Sequence, residues 1–408
     1  MRTRVSARPA SSNFLSQWTS RASGALVSAP LITPCIVTSE SIPSTASSTT
    51  SSQHPPRPDR VPAEQWLRRP GTEAALTPLE GFNCSAFRVR LPSGQWLPVL
   101  SEAPDWAALT ARPSFYGNPL LFPFAYGVAG SRLHYAGQEH PLAPTRWQRV
   151  SHGLVRDHAW SVERSWEDNT GSHVRATISS EGDTQKLAEY PFPFHLAVTY
   201  TLSGQSLTLK AEARNMGDAP MPFGFAIHPY IPLPLGTAGT PATARPSAEL
   251  DEIVHCDATH VSADGPSPGG SPPPDLAPVQ GAFDLRVGQP VAALLAAQEG
   301  HRGRSGLFLT YAKRAAGSGP RSGGLTWSLT SPRLGATIEI EASPELWGMV
   351  LFAPNEPTPV ISPVIGTCLP GFLDYPDDPQ RSADLGLLEL APGATWTASA
   401  TMRVRFNR

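Results

Sequence analysis

An all-β protein, built as a large antiparallel sandwich, is the fold class this sequence predicts. Three observations point there: many short segments alternate apolar and polar residues, convincing long amphipathic helices are missing, and 45 of 408 residues are proline. Period-two alternation marks strands with one buried face, and proline removes a backbone donor and restricts helix interiors.

In chain order, residues 1 to about 65 differ from the rest. They are rich in Ser, Thr, Pro and Ala, and Glu40 is the only acidic residue before Asp59. Such a segment buries too little apolar surface to offset its ordering entropy, so a disordered extension over 1–65 is expected. Arginines with few acids also resemble an organellar transit peptide, and a start placed too far upstream would leave the same composition. From Glu80 onward the pattern is β. Phe87-Arg-Val-Arg-Leu91 opens it. Leu196–Leu202 and Leu207–Ala213 follow, joined by a hairpin turn at Gly204-Gln205. Trp327–Thr330, Ala336–Ala342, Trp347–Phe352 and Thr397–Arg405 continue the series. Only Pro62–Leu67 and Val291–Gln298 read as short helices. The stretches Ser262–Pro278 and Ala315–Gly324 read as long polar loops. Neither divides the chain into self-sufficient halves, so residues 70–408 are expected to be one domain.

Composition narrows the function. A net charge of -2, with scattered arginines and lysine only at Lys186, Lys210 and Lys313, argues against a grip on nucleic acid or an anionic membrane. No apolar run is long enough to span a bilayer. Cys35, Cys84, Cys256 and Cys368 are far apart and lack metal-ligand spacing, which suits free thiols in a reducing, cytoplasmic setting. His152 and His158 have no companion ligand motif, so no metal is expected.

Histidine is the side chain that exchanges a proton near neutrality. His228 lies in Pro220-Met-Pro-Phe-Gly-Phe-Ala-Ile-His-Pro-Tyr-Ile-Pro-Leu-Pro234, after a hydrophobic run and before Pro229. That places an imidazole at the end of a buried strand, where the chain turns and a cleft can open. His152 has a similar setting in Ser151-His-Gly-Leu-Val-Arg-Asp-His-Ala-Trp160. Two positioned imidazoles among aromatics suggest proton chemistry on a polar ring such as a sugar. A lone histidine is more often structural, and that reading applies to the other histidines.

Five fragments in order carry a resemblance. They are Gly117-Asn-Pro-Leu-Leu-Phe-Pro123, Ser131–Leu142, His152-Gly153 with Trp160, Tyr190-Pro-Phe-Pro-Phe-His-Leu196, and Asn215-Met-Gly-Asp218 leading into Pro222–Tyr230; Pro392-Gly393 precedes the last strand. In these the chain resembles the aldose 1-epimerase (galactose mutarotase) family over roughly residues 80–405. The resemblance implies a large antiparallel β-supersandwich and interconversion of the α and β anomers of a free sugar such as a hexose, with no cofactor and a small-molecule sugar as partner. His228 matches the general acid at the ring oxygen, and His152 the histidine that holds ring or hydroxyl oxygens. Tyr230, Trp160 and Asn118 are implied as substrate-binding.

Three family positions depart. Where Asn-Arg is usual after Phe122-Pro123, the chain has Tyr126-Gly127, with Arg132 five residues further on. The family aspartate has no counterpart near Gln298–His301, where Glu299 is the nearest acid. Ser362 stands at the place of the general-base glutamate, and a serine hydroxyl is no carboxylate base. Glu356 is the nearest carboxylate and is taken as the candidate base; Asp374, Asp377 and Asp378 form another acidic group. An alternative is a sugar-binding protein on the same scaffold that has lost catalysis. A lyase or hydrolase needs a carboxylate pair or a tyrosine/arginine base, and no such cluster stands out.

Overall fold

The computed structural model describes residues 64–407, apart from 145–149, 236–251, 257–259, 263–276, 300–305, 314–323, 355–358 and 376. Pro56–Arg408 make up one compact unit. The expected extension therefore falls outside the described residues, except that Gln65 already opens a strand.

Alternation dictates the larger sheet. In Phe194–Ser203 the side chains of Phe194, Leu196, Val198, Tyr200 and Leu202 are buried while Thr199 and Thr201 are only partly so. A two-residue turn at Gly204-Gln205 returns the chain into Ser206–Asn215, paired antiparallel with Leu202 opposite Leu207 and Phe194 opposite Asn215. Thr395–Phe406 adds on the far side, with Ala400 opposite Leu209. Nine strands follow this order: Gln289–Pro290, Ile253–Cys256, Thr326–Ser331, Ala336–Ala342, Thr395–Phe406, Ser206–Asn215, Phe194–Ser203, Ser172–Ser179 and Ser161–Glu167. The outer face carries ion pairs: Arg175 reaches Glu163 and Glu212, and Arg403 reaches Glu339 and Glu341. Pairs of this kind at a surface contribute little to stability but keep that face wet, so burial fixes which way the sheet turns.

The second sheet runs Ala277–Pro278, His260–Ser262, Gly306–Ala312, Gly348–Pro354, Val360–Gly366, Ala226–Ile227 and Leu120–Leu121, with Ile231–Pro232 also paired to Val360–Gly366. Its strand Val360–Gly366 is buried at every position, the reading expected of a strand covered on both faces. A small void of about 10 Å³ is lined by Tyr200, Leu209, Ile340 and Met402 of the first sheet and Ile227 of the second. The two inner faces therefore meet in one core. The architecture is all-β and antiparallel, as expected.

Local differences have local causes. Pro62–Leu67 is not a helix where it is described: Gln65–Arg69 forms a hairpin with Thr72–Thr77, because Gly71 (φ 72°) supplies the left-handed turn. Val291–Glu299 is helical, as expected. Two further short helices, Trp106–Ala111 and Thr184–Glu189, begin where Asp105 and Asp183 accept a backbone N–H three residues on. Most of the two expected long loops lies outside the described residues. Cys84, Cys256 and Cys368 are buried free thiols. No helix among the described residues is long and apolar enough to cross a membrane.

Candidate functional site

His228 directly follows Ala226–Ile227, a two-residue strand held between Leu120–Leu121 and Val360–Gly366. Its backbone N–H is shared between the Pro119 carbonyl (3.1 Å) and Asn118 Oδ1 (3.0 Å). Asn118 is placed in turn by Asn83, whose Oδ1 accepts the Asn118 N–H at 2.8 Å. Gly117 has φ 69°, and a Cβ there would lie 2.4 Å from the Cys84 carbonyl oxygen. Only glycine lets these segments approach so closely. Tyr230 N–H then donates to the Gly117 carbonyl at 2.8 Å, fixing the residue two positions beyond the histidine.

His152 reaches the same place by another route. Its backbone is left-handed (φ 63°), as is that of Gly153 (φ 69°). A Cβ on Gly153 would lie 2.1 Å from the Phe122 carbonyl oxygen. His152 N–H donates to the Tyr126 carbonyl (3.2 Å) and Leu154 N–H to the Phe122 carbonyl (2.9 Å). The imidazole Nδ1 lies 2.8 Å from the Ala125 carbonyl. Segment Phe122–Gly127 thus wraps His152 with its backbone.

The two imidazoles meet edge to face with ring centroids 5.5 Å apart. Tyr230 stacks on His228 at 4.5 Å, and its hydroxyl lies 3.1 Å from His228 Nε2. The opposite ring nitrogen, Nδ1, lies 2.8 Å from Ser362 Oγ. Phe352 covers the ring from a third direction at 6.2 Å, and Phe115 extends the stack beyond Tyr230 at 5.9 Å with the Arg112 guanidinium over it. His228 is only 4% exposed, so losing its water shell disfavours the imidazolium; the neighbouring His152 and Arg156 push its pKa down further. Burial and the Arg156 charge lower His152 to about 4, against the support of the Ala125 carbonyl. Burial raises the Tyr230 pKa, keeping it a phenol. Near neutrality the site therefore holds two uncharged imidazoles and a buried guanidinium.

The other expected residues fall as follows. Trp160 is buried against Phe82 (5.6 Å), and its indole N–H donates to the Val155 carbonyl at 2.9 Å. Those are core contacts; they support the short turn Val155–Asp157 that carries Arg156. Glu356 lies outside the described residues, in the connection between Gly348–Pro354 and Val360–Gly366. Arg132 is exposed and pairs with Glu139. Asp374 accepts the Ala129 N–H at 3.2 Å and Asp378 caps Pro379–Asp384, so both hold backbone. Neither imidazole is hydrogen-bonded to a carboxylate among the described residues.

Sequence reasoning missed three contributors. Asn83 belongs to no motif. Arg156 sits inside the His152 run without a signature of its own; it is buried and pairs with Asp157 at 3.5 Å. Ser362 reads in the sequence as an absence, a missing glutamate, whereas it is the hydrogen-bond partner of His228. A polar residue inside the apolar run Val360-Ile-Ser-Pro-Val-Ile365 was the available signal, since buried polar groups need partners.

Known proteins resemble this chain in sequence over part of its length and in fold over most of it. The aldose 1-epimerase family model matches residues 87–264. The protein LacX (plasmid) of Lactococcus lactis subsp. lactis is 28% identical over 128 residues, 31% of this chain and 40% of that protein. An Escherichia coli K12 protein, YihR, is 24% identical over 172 residues, 38% of this chain and 53% of its own length. The chain thus spans about half or less of the length of these relatives. Among solved structures, a galactose mutarotase-like protein from Clostridium acetobutylicum superposes with TM-score 0.66 at 16% identity, covering 84% of this chain and 94% of its own. A galactose 1-epimerase from Lactobacillus acidophilus NCFM gives TM-score 0.62 at 18% identity, covering 85% and 95%. Residues 87–264 thus match the aldose 1-epimerase family model, and more than four-fifths of the chain shares the fold of galactose mutarotase-like structures.

Proposed function

We propose that the protein is an aldose 1-epimerase-like isomerase that interconverts the α and β anomers of a free sugar. The observation that carries this reading is the 5.5 Å approach of His152 and His228, delivered by separate backbone knots to one place. Ring opening needs the anomeric hydroxyl to lose a proton while the ring oxygen gains one. The C1–O5 electron pair goes to O5, C1=O1 forms, rotation about C1–C2 exposes the other face, and reclosure reverses each transfer. What the protein supplies is position and proton exchange. His228 exchanges a proton with the sugar, His152 holds an oxygen of it, Tyr230 forms a wall, and Asn118 serves the site through the His228 backbone. Galactose and glucose are the sugars to try first, since a structure similar to this chain is a galactose 1-epimerase.

The experiment is anomer equilibration of fresh α-glucose and α-galactose, followed by polarimetry or NMR. Wild type is expected to accelerate equilibration. His228→Ala loses at least about a hundredfold of kcat, the scale of one acid–base group, while His195→Ala, on the strand Phe194–Ser203, keeps it. Glu356→Gln decides whether that residue supplies a second proton-transfer group. A second reading, sugar binding without catalysis, is favoured by Ser362 standing where a carboxylate base is expected. Saturable sugar binding with no acceleration would establish that alternative.

A further inference from the structure

Ser362 lies in the buried strand Val360–Gly366, fully shielded from solvent. Its hydroxyl meets His228 Nδ1 at 2.8 Å, while the Tyr230 hydroxyl meets Nε2 at 3.1 Å. Both ring nitrogens are therefore engaged by hydroxyls. A neutral imidazole has one N–H donor and one acceptor nitrogen, and a hydroxyl can face either. Which nitrogen holds the proton is then set by the two hydroxyls. A phenol is the more acidic donor, and its oxygen, conjugated with the ring, is the poorer acceptor. An alkanol such as serine is the reverse. The favoured arrangement has Tyr230 O–H donating to Nε2 and Nδ1–H donating to Ser362 Oγ. His152 follows suit for a simpler reason: its Nδ1 faces a carbonyl, which only accepts.

We propose that Ser362 is a positioning residue which, together with Tyr230, fixes the ring proton of His228 on Nδ1, so that Nε2 enters the sugar reaction as a proton acceptor. This rests on the anomer reading above and deepens it. The resemblance alone implied a donor at this histidine; an alcohol in place of the carboxylate base reverses the direction. On ring opening the anomeric O1–H proton passes to the Tyr230 oxygen as the Tyr230 proton passes to Nε2. The O1 pair forms C1=O1, the C1–O5 pair goes to O5, and O5 takes a proton from water. The imidazolium then returns its proton through Tyr230 to that hydroxide, regenerating water and neutral His228 before rotation about C1–C2, and reclosure runs the same transfers in reverse. Among the described residues the titratable and charged groups facing His228 are His152, Tyr230 and the Arg156 guanidinium; His152 and Arg156 disfavour the imidazolium, so Nε2 is unprotonated at rest and takes the sugar's proton only transiently.

The test uses the full chain labelled with ¹⁵N-histidine and long-range ¹H–¹⁵N correlation of the rings. Wild type is expected to show a pyrrole-like Nδ1 and a pyridine-like Nε2 at His228 at neutral pH and still at pH 6. Ser362→Ala removes the acceptor and shifts the proton toward Nε2; Ser362→Thr keeps the wild-type pattern. A pyrrole-like Nε2 in wild type overturns the proposal, and needs no variant to fold. So does a Ser362→Ala spectrum unchanged from wild type. In anomer equilibration, Ser362→Ala is expected to lose on the order of ten- to a hundredfold in kcat with KM within about twofold, and Ser362→Thr to recover most of it. The rate should hold on the acid side to below pH 6, whereas a donor at His228 would make it rise as pH falls, and that rise would also overturn the proposal. Failure of the anomer reading itself appears differently, as a wild type without acceleration, while the ring spectrum still decides the proton's position.

Discussion

His152 combines two costs in one residue: a left-handed backbone, uncommon outside glycine, and a partly exposed ring held uncharged beside Arg156. Both have consequences that can be measured. Its pKa is lowered from 6.5 to about 4, so the unfolded chain binds a proton that the folded chain refuses. Stability is therefore present above pH 6.5 and is lost as pH falls toward 4, and the lowered His228 acts in the same direction. After discounting for the partial exposure of the ring, His152 accounts for about 2 kcal/mol of that loss. Denaturant unfolding of wild type and His152→Asn at pH 7 and pH 4.5 checks it. Asparagine tolerates the left-handed conformation, and the variant is expected to lose distinctly less stability on acidification; an equal loss in both proteins would show that the His152 ring is not its source. At this scale the two histidines were legible because each sits in a recognisable run. Their partners were not: Ser362 is far from His228 in sequence, and Asn83 acts on it only through Asn118.

Short elements place the site, and glycines set their limits. The left-handed Gly153 packs against the Phe122 carbonyl, whereas Gly130 (φ 61°) has open space around it. Gly130→Ala is expected to cost about 1 kcal/mol, the backbone term alone. Gly153→Ala adds a backbone collision and should cost more than about 3 kcal/mol and displace His152. Thermal unfolding of both variants separates the two terms, and equal shifts would show that the Phe122 contact is not what holds the His-Gly turn. Strands with strict alternation, such as Phe194–Ser203, were readable from the sequence. Gln65–Arg69 was not, because five residues containing Trp66 and Leu67 satisfy a helical or a strand period equally well, and only pairing with Thr72–Thr77 decides. Trp160 shows the converse: its motif position suggests a sugar wall, while its indole packs on Phe82 and supports the turn bearing Arg156.

Among the described residues the two largest antiparallel sheets, of nine and eight strands, share one apolar core beside a four-stranded and two two-stranded sheets, and the outer face of the largest carries ion pairs. The fold class followed from period-two patterning, proline content and the lack of long helices, because those features report burial directly. The convergence of His152 and His228 did not follow from them. It depends on how the Leu120–Gly127 segment lies against both Ala226–Ile227 and the His-Gly turn, a tertiary fact without a local signature. The central claim is that these two imidazoles form one sugar site. It is tested most directly by titrating the protein with galactose and with glucose while following the ring resonances of His152, His228 and His195. His152 and His228 are expected to shift along one saturation curve while His195 stays still. If only one of the pair responds, or neither does under either sugar, the shared site is contradicted.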